Sequence, residues 1–167
     1  MKIFKKILVA LLVVLIVIQF FRPERNISAR PSPADISTVY TIPSNVSAVL
    51  KRACYDCHSN NTKYPWYANV QPFAWWLNDH IHEGKRGLNF SEFTSYRIRK
   101  QYHKLEEVTD EVKKGDMPLQ SYTLIHTDAR LTAEEKAALT SWADAIRDTI
   151  RAKYPPDSLI QKNRGKR

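Results

Sequence analysis

The chain has very little sulfur and very little glycine. Of its 167 residues two are cysteine, two are methionine and four are glycine. A plain disulfide between the two cysteines at their spacing would be strained and staple nothing, and there is no second C-x-x-C or spaced histidine pair to complete a zinc finger. Sustained two-residue alternation of apolar and polar residues is also missing, which argues against a half-buried sheet. A concentrated basic surface is lacking as well, although the net charge is +9. Residues 1–43 carry six Lys and Arg against two Asp and Glu, residues 44–152 carry fifteen against fourteen, and residues 153–167 carry five against one. The excess lies at the two ends, so no nucleic-acid groove is expected.

One long apolar run is present. Residues 7–21, "ILVALLVVLIVIQFF", are interrupted only by Gln19 and follow Lys2, Lys5 and Lys6. With Ile3 and Phe4 the stretch approaches the roughly 20 residues of a spanning helix, and no small-residue cleavage site follows. Residues 1–21 are therefore expected to be an uncleaved transmembrane anchor. Residues 22–43, with four prolines and no periodicity, are expected to be an extended linker. Residues 153–167 are expected to be a basic flexible tail.

Between them, residues 44–152 read as an all-α domain. Val46, Val49, Leu50, Ala53, Cys54 and Cys57 continue one face of a helix opening at Ser44 or Asn45. A second helix is expected from Pro72, with Phe73, Trp76, His80 and Ile81 on one side and Gly84 ending it. A third runs from Ser95 to Lys114 with Gly115 as its stop. The fourth opens on a Thr132–Glu135 capping box and carries the stripe Leu139, Trp142, Ile146 and Ile150.

The chain's only cysteines, Cys54 and Cys57, precede His58 in the pattern C-x-x-C-H. This is the c-type haem attachment motif. On a helix, positions i, i+3 and i+4 point the same way, so two thiols can meet the two vinyl groups of one porphyrin edge while the imidazole lies beneath the iron. Zinc would need further ligands from His80, His82, His103 or His126, and a redox dithiol would want a strand before it. One covalent haem c is the favoured reading. Met117, the only methionine past the initiator, sits after a helix end and before Pro118 and is the candidate second axial ligand, with His80 and His126 as competitors. Trp66, Tyr67, Trp76, His80 and His126 are candidate haem-pocket residues, together with Tyr64 and Trp75.

Two resemblances follow from these motifs. "LTAEEKAALTSWADAI", after C-x-x-C-H and M-P, is similar to the C-terminal helix of small cytochromes c. "CYDCHSNNTKYPWY", "PFAWWLNDHIHEGKRGLNFSEF" and "GDMPLQSYTLIH" resemble the bacterial haem-binding domain family over about residues 44–147. The resemblance implies a cytochrome c-like haem domain holding haem through Cys54, Cys57 and His58, with Met117 distal. Phe93, where a tryptophan is expected, and the Lys85-Arg86 pair, where Gly-Arg is expected, are departures that touch no ligand. Because thioethers of this type form after export, the domain is expected on the outer side of the cytoplasmic membrane. The function expected is electron transfer with an unidentified redox partner, and the alternative is a haem enzyme or gas sensor with an open distal site.

Overall fold

The computed structural model describes residues 2–160. Eight α-helices follow in order: α1 Lys2–Ile18, α2 Ser44–Ala53, α3 Tyr55–His58, α4 Phe73–Gly87, α5 Ile98–Lys114, α6 Gln120–Ile125, α7 Ala133–Lys153 and α8 Pro156–Leu159. Short 3-10 turns join them, and among the described residues the one extended pairing is an isolated bridge from Ile27 to Asn61. The all-α expectation holds.

The frame is α2, α5 and α7. Their apolar stripes meet in a core containing Val46, Val49, Leu50, Leu105, Val112, Leu139, Trp142, Ile146 and Ile150. The capping box that starts α7 is formed as expected: Thr132 Oγ1 accepts from Glu135 N, and Glu135 Oε2 accepts from Thr132 N. Gly115 ends α5 at φ 83°, a left-handed geometry in which glycine has no Cβ to clash.

Four expectations change. The apolar N-terminus forms α1, but helix ends at Ile18, where Gln19, Phe20 and Phe21 turn back with tighter i to i−3 bonds. Seventeen residues at a rise of about 1.5 Å give roughly 25 Å, short of the roughly 30 Å hydrocarbon layer. Among the described residues no helix is long and apolar enough to cross a membrane, so the expected spanning helix is not found.

Residues 22–43 do not hang free. Asn26 donates to Ser59 O and Thr62 Oγ1, Ala34 O accepts from Thr94 N, and Ile36 is fully buried in the main core. The segment has too few apolar residues to show periodicity, yet its backbone groups find partners on the loop after α3.

Part of the expected tail is likewise packed. Leu159 is buried against the core, and its carbonyl lies 2.8 Å from His103 Nε2. Residues 161–167 lie outside the described residues.

Lastly, Gly84 does not end a helix but sits inside α4. A Cβ there would lie 2.6 Å from the Cys57 carbonyl oxygen, so glycine is what lets α4 touch α3.

Candidate functional site

The helix expected to run through both cysteines breaks at Cys54. α2 stops at Ala53, and Cys54 (φ −126°, ψ −44°) starts a new single turn, α3. Helical bonding persists across that turn, with His58 N donating to Cys54 O at 2.9 Å and Cys57 N to the same carbonyl at 3.2 Å. The two thiols and the imidazole therefore still reach one place.

That place is a cavity of about 510 Å³, within the roughly 300–1,000 Å³ of cofactor pockets. Cys54, Cys57 and His58 line it from α3, and His80, Gly84 and Gly87 from α4. Leu50, Val108, Val112 and Leu139 give its aliphatic wall, and Met117, Pro118, Leu119 and Tyr122 come from the loop after α5 and from α6. Charge on the lining comes from Asp56, Glu83, Lys104, Glu107 and Glu111, with Lys104 paired to Glu107.

His58 is held for ligation. Its Nδ1 lies 2.9 Å from Leu88 O, and a carbonyl can only accept, so Nδ1 carries the proton and Nε2 keeps the lone pair. Burial lowers the imidazole's affinity for a second proton, which keeps that lone pair available. Both cysteines are free thiols at the cavity wall. Burial pushes Cys54 up to about 12 and Cys57 up to about 11, so each is S–H at neutral pH.

The Met117 loop is tied at both ends. Gly115, Asp116 and Met117 all donate backbone N–H groups to Glu111 O, at 3.1, 3.0 and 3.2 Å. Beyond it, Tyr122 Oη donates to Asp56 Oδ2 at 2.8 Å, while Lys63 N donates to Asp56 Oδ1. Burial and the Asp56 charge both raise the Tyr122 pKa, keeping the phenol a donor.

Five of the expected residues meet at this cavity: Cys54, Cys57, His58, Met117 and His80. His80 Nδ1 faces Trp76 O at 2.9 Å, which leaves its Nε2 unengaged, as for His58. The expected aromatic wall is absent, since Trp66, Tyr67, Trp76 and His126 do not line the cavity. Trp66 is exposed on a 3-10 turn that packs against α4, and Trp76 stacks on His80 with ring centroids 4.4 Å apart. Tyr67 is buried in a small second cluster, and its hydroxyl lies 2.8 Å from His126 Nε2. His126 stacks on Tyr122 at 4.3 Å. Tyr64 and Trp75 are absent from the lining too. Composition shows that aromatics are plentiful, but which ones face a cavity is settled by how the 62–72 segment folds onto α4.

Sequence reasoning gave no role to Asp56, Tyr122 or Leu88. Only the i+2 offset of Asp56 from Cys54, inside the motif, could have pointed to one of them.

The residues present fit a haem: an apolar slot of suitable volume, two protonated thiols on one wall and an imidazole of fixed tautomer. A zinc site fits less well, since among the described residues no three His, Cys, Asp or Glu side chains gather around one point. No curated protein and no solved structure matches the chain. A family described as haem-binding domain matches residues 13–145, most of the chain, and the protein belongs to that haem-binding domain family.

Proposed function

We propose that the protein is a single-haem, c-type electron carrier, held at the outer face of the cytoplasmic membrane by α1. The carrying observation is that one cavity gathers the chain's only two cysteines, the tautomer-fixed His58 and the chain's only internal methionine.

Bound haem would supply a reversible one-electron iron couple. Cys54 and Cys57 would fix it by adding S–H across its two vinyl groups, an addition that needs no oxidant and conserves every atom. His58 would ligate through Nε2, its orientation set by Leu88 O. Met117 would close the second axial position, and a thioether there favours the ferrous state. If Met117 as well as His58 held the iron, no site for a substrate would remain on it, which is why transfer of electrons is preferred to catalysis.

α1 supports the anchoring part of the reading. It buries none of its residues against the domain, and Lys2, Lys5 and Lys6 at its start can reach past an apolar layer. A helix shorter than the bilayer is accommodated by local thinning and by flanking side chains.

A second reading rests on His80, which also lines the cavity and whose Nδ1 is engaged by Trp76 O; it would give a bis-histidine iron. A third leaves the iron open, as in a haem enzyme or gas sensor. The test is optical, on export-matured full-length protein. A reduced alkaline pyridine spectrum of covalent haem, with a near-infrared methionine-to-iron band that Met117→Ala removes, is the expected result. A bis-imidazole spectrum lost in His80→Ala selects the second reading. A high-spin spectrum that binds carbon monoxide at once selects the third.

A further inference from the structure

Gln19 is the single polar residue of the apolar run, and its side chain is fully used. Its Oε1 accepts from Gln71 N at 3.0 Å, and its Nε2 donates to Leu15 O at 2.9 Å and to Gln71 O at 3.3 Å. Gln71 is only 2% exposed. Its Nε2 donates to Phe21 O at 2.8 Å, and the same carbonyl accepts from Trp75 Nε1 at 2.8 Å. The end of α1 is thus bonded to the start of α4 at four points, two made by the Gln19 amide to the Gln71 backbone, one by the buried Gln71 amide and one by the Trp75 indole. A joint of this kind fixes an angle; a flexible tether would leave one free.

Around the joint stand aromatic side chains that the domain leaves in the open: Phe20 is 82% exposed, Phe21 63%, Phe73 54% and Trp75 36%. Exposed aromatics grouped within a few residues of one joint are unusual on a free surface. They match the belt that phenyl and indole rings form at the level of lipid headgroups, and Arg22, next in the chain to Phe21, is the cation suited to anionic lipid, whereas Arg25 is engaged by Asn69 and the Tyr64 ring and Glu24 lies between the two. The length of α1 acts in the same direction. At roughly 25 Å it cannot carry its C-terminal end clear of a roughly 30 Å hydrocarbon layer, so whatever is bonded to that end is drawn down to the interface.

We propose that Phe20, Phe21, Phe73 and Trp75 form a lipid-docking collar which, through the Gln19–Gln71 joint, seats the haem domain on the bilayer surface in one fixed orientation. The partner is the headgroup layer of a bilayer containing anionic lipid. The inference rests on the reading that α1 enters the membrane.

The test uses full-length, haem-loaded protein in vesicles of phosphatidylcholine and phosphatidylglycerol. Flotation reads the anchor alone. Phe73→Trp, at an exposed position whose side chain makes none of the bonds of the joint, adds a reporter at the collar. Its added emission is expected to fall about twofold in vesicles brominated high on the acyl chain relative to unbrominated ones, as an interfacial ring requires. Quenching by the haem is the same in both lipids and cancels. Gln19→Ala/Gln71→Ala in that background, which removes three of the four bonds across the joint, is expected with an unchanged haem spectrum to float normally and lose most of the bromine quenching. Protein that floats while the Phe73→Trp emission ignores bromine overturns the collar and leaves the anchor standing. Protein that does not float overturns the anchor and the collar with it. Emission shielded from both bromine and aqueous iodide places a protein partner on the collar and overturns the proposal.

Discussion

The two walls of the cavity are built differently. On the α2, α5 and α7 side, fifteen buried apolar residues interlock from Ile36 to Leu159, and Leu50, Val112 and Leu139 belong at once to that core and to the cavity wall. On the α4 side only Tyr67, Leu77 and Ile81 form a buried cluster, with Cys57, Tyr64, Ala68 and Trp76 leaning on it. The first wall can sustain itself by apolar burial. The second has too few partners of its own and turns His80 and Gly87 toward open space. A flat apolar cofactor clamped between them would give α4 the contacts it lacks, so the haem is expected to act as part of the core on one side and as a guest on the other.

The sharpest way to break that contrast is a matched pair of truncations. Leu105→Ala, at a fully buried site of the large core, is expected to cost about 2–5 kcal/mol in urea unfolding whether or not haem is bound. Ile81→Ala should cost a comparable amount in the haem-loaded protein and much less in the haem-free protein, where α4 is already loosely held. Equal losses in both forms would show that the α4 side supports itself.

Gly84→Ala tests the seam between the walls. Its new Cβ would meet backbone, Cys57 O at 2.6 Å and Cys57 C at 3.1 Å, so no side chain can swing aside. The expected cost is about 1–3 kcal/mol, with a lower yield of covalently attached haem on export, because α4 must move off the turn that presents the thiols. An unchanged yield would mean that attachment tolerates a displaced α4.

The same contrast governs what could be read in the sequence. α7 was legible because its signals are local: a capping box and a stripe at helical spacing, which the large core then buries. The motif residues were legible through chemistry, and Cys54, Cys57 and His58 do line one cavity. On the thin side, tertiary contacts overrode the local signal. Gly84 looked like a stop and is a contact point, and Cys54 looked mid-helix and is a break. Tyr67 and His126 looked like cofactor walls and instead bond each other. Residues 22–43 carry no periodicity, so nothing in them announced that Ile36 would be buried or that Asn26 would bond Ser59.

A pH series separates bound from unbound thiols. The fold raises Cys54 and Cys57 from 9.0 to about 12 and about 11, so above pH 9 the unfolded chain sheds these protons first. Fewer protons on the unfolded state means stability falls as pH rises, by roughly 1 kcal/mol per thiol for each pH unit until the folded values are reached. The haem-free protein should show this alkaline loss relative to its own Cys54→Ala/Cys57→Ala variant. The haem-loaded protein should not, since a thioether has no proton to lose. Tyrosines that also titrate late are common to both and cancel. Persistence of the difference in loaded protein would count against covalent attachment.

The smallest expected effect lies where the two walls are tied together. Tyr122, at the Met117 side, donates to Asp56 on α3, while its ring stacks on His126 and so reaches Tyr67. Tyr122→Phe keeps the ring and the stack and deletes one bond to a carboxylate that still accepts from Lys63 N. A loss of about 1 kcal/mol follows for the haem-free protein, with faster amide exchange across residues 117–126. In the loaded protein a Met117–iron bond would hold the same loop from its other end, so the substitution should cost less and exchange should change little. If the loss is the same with haem bound as without it, then Met117 contributes nothing to holding the loop, and the His80 and open-iron readings take its place.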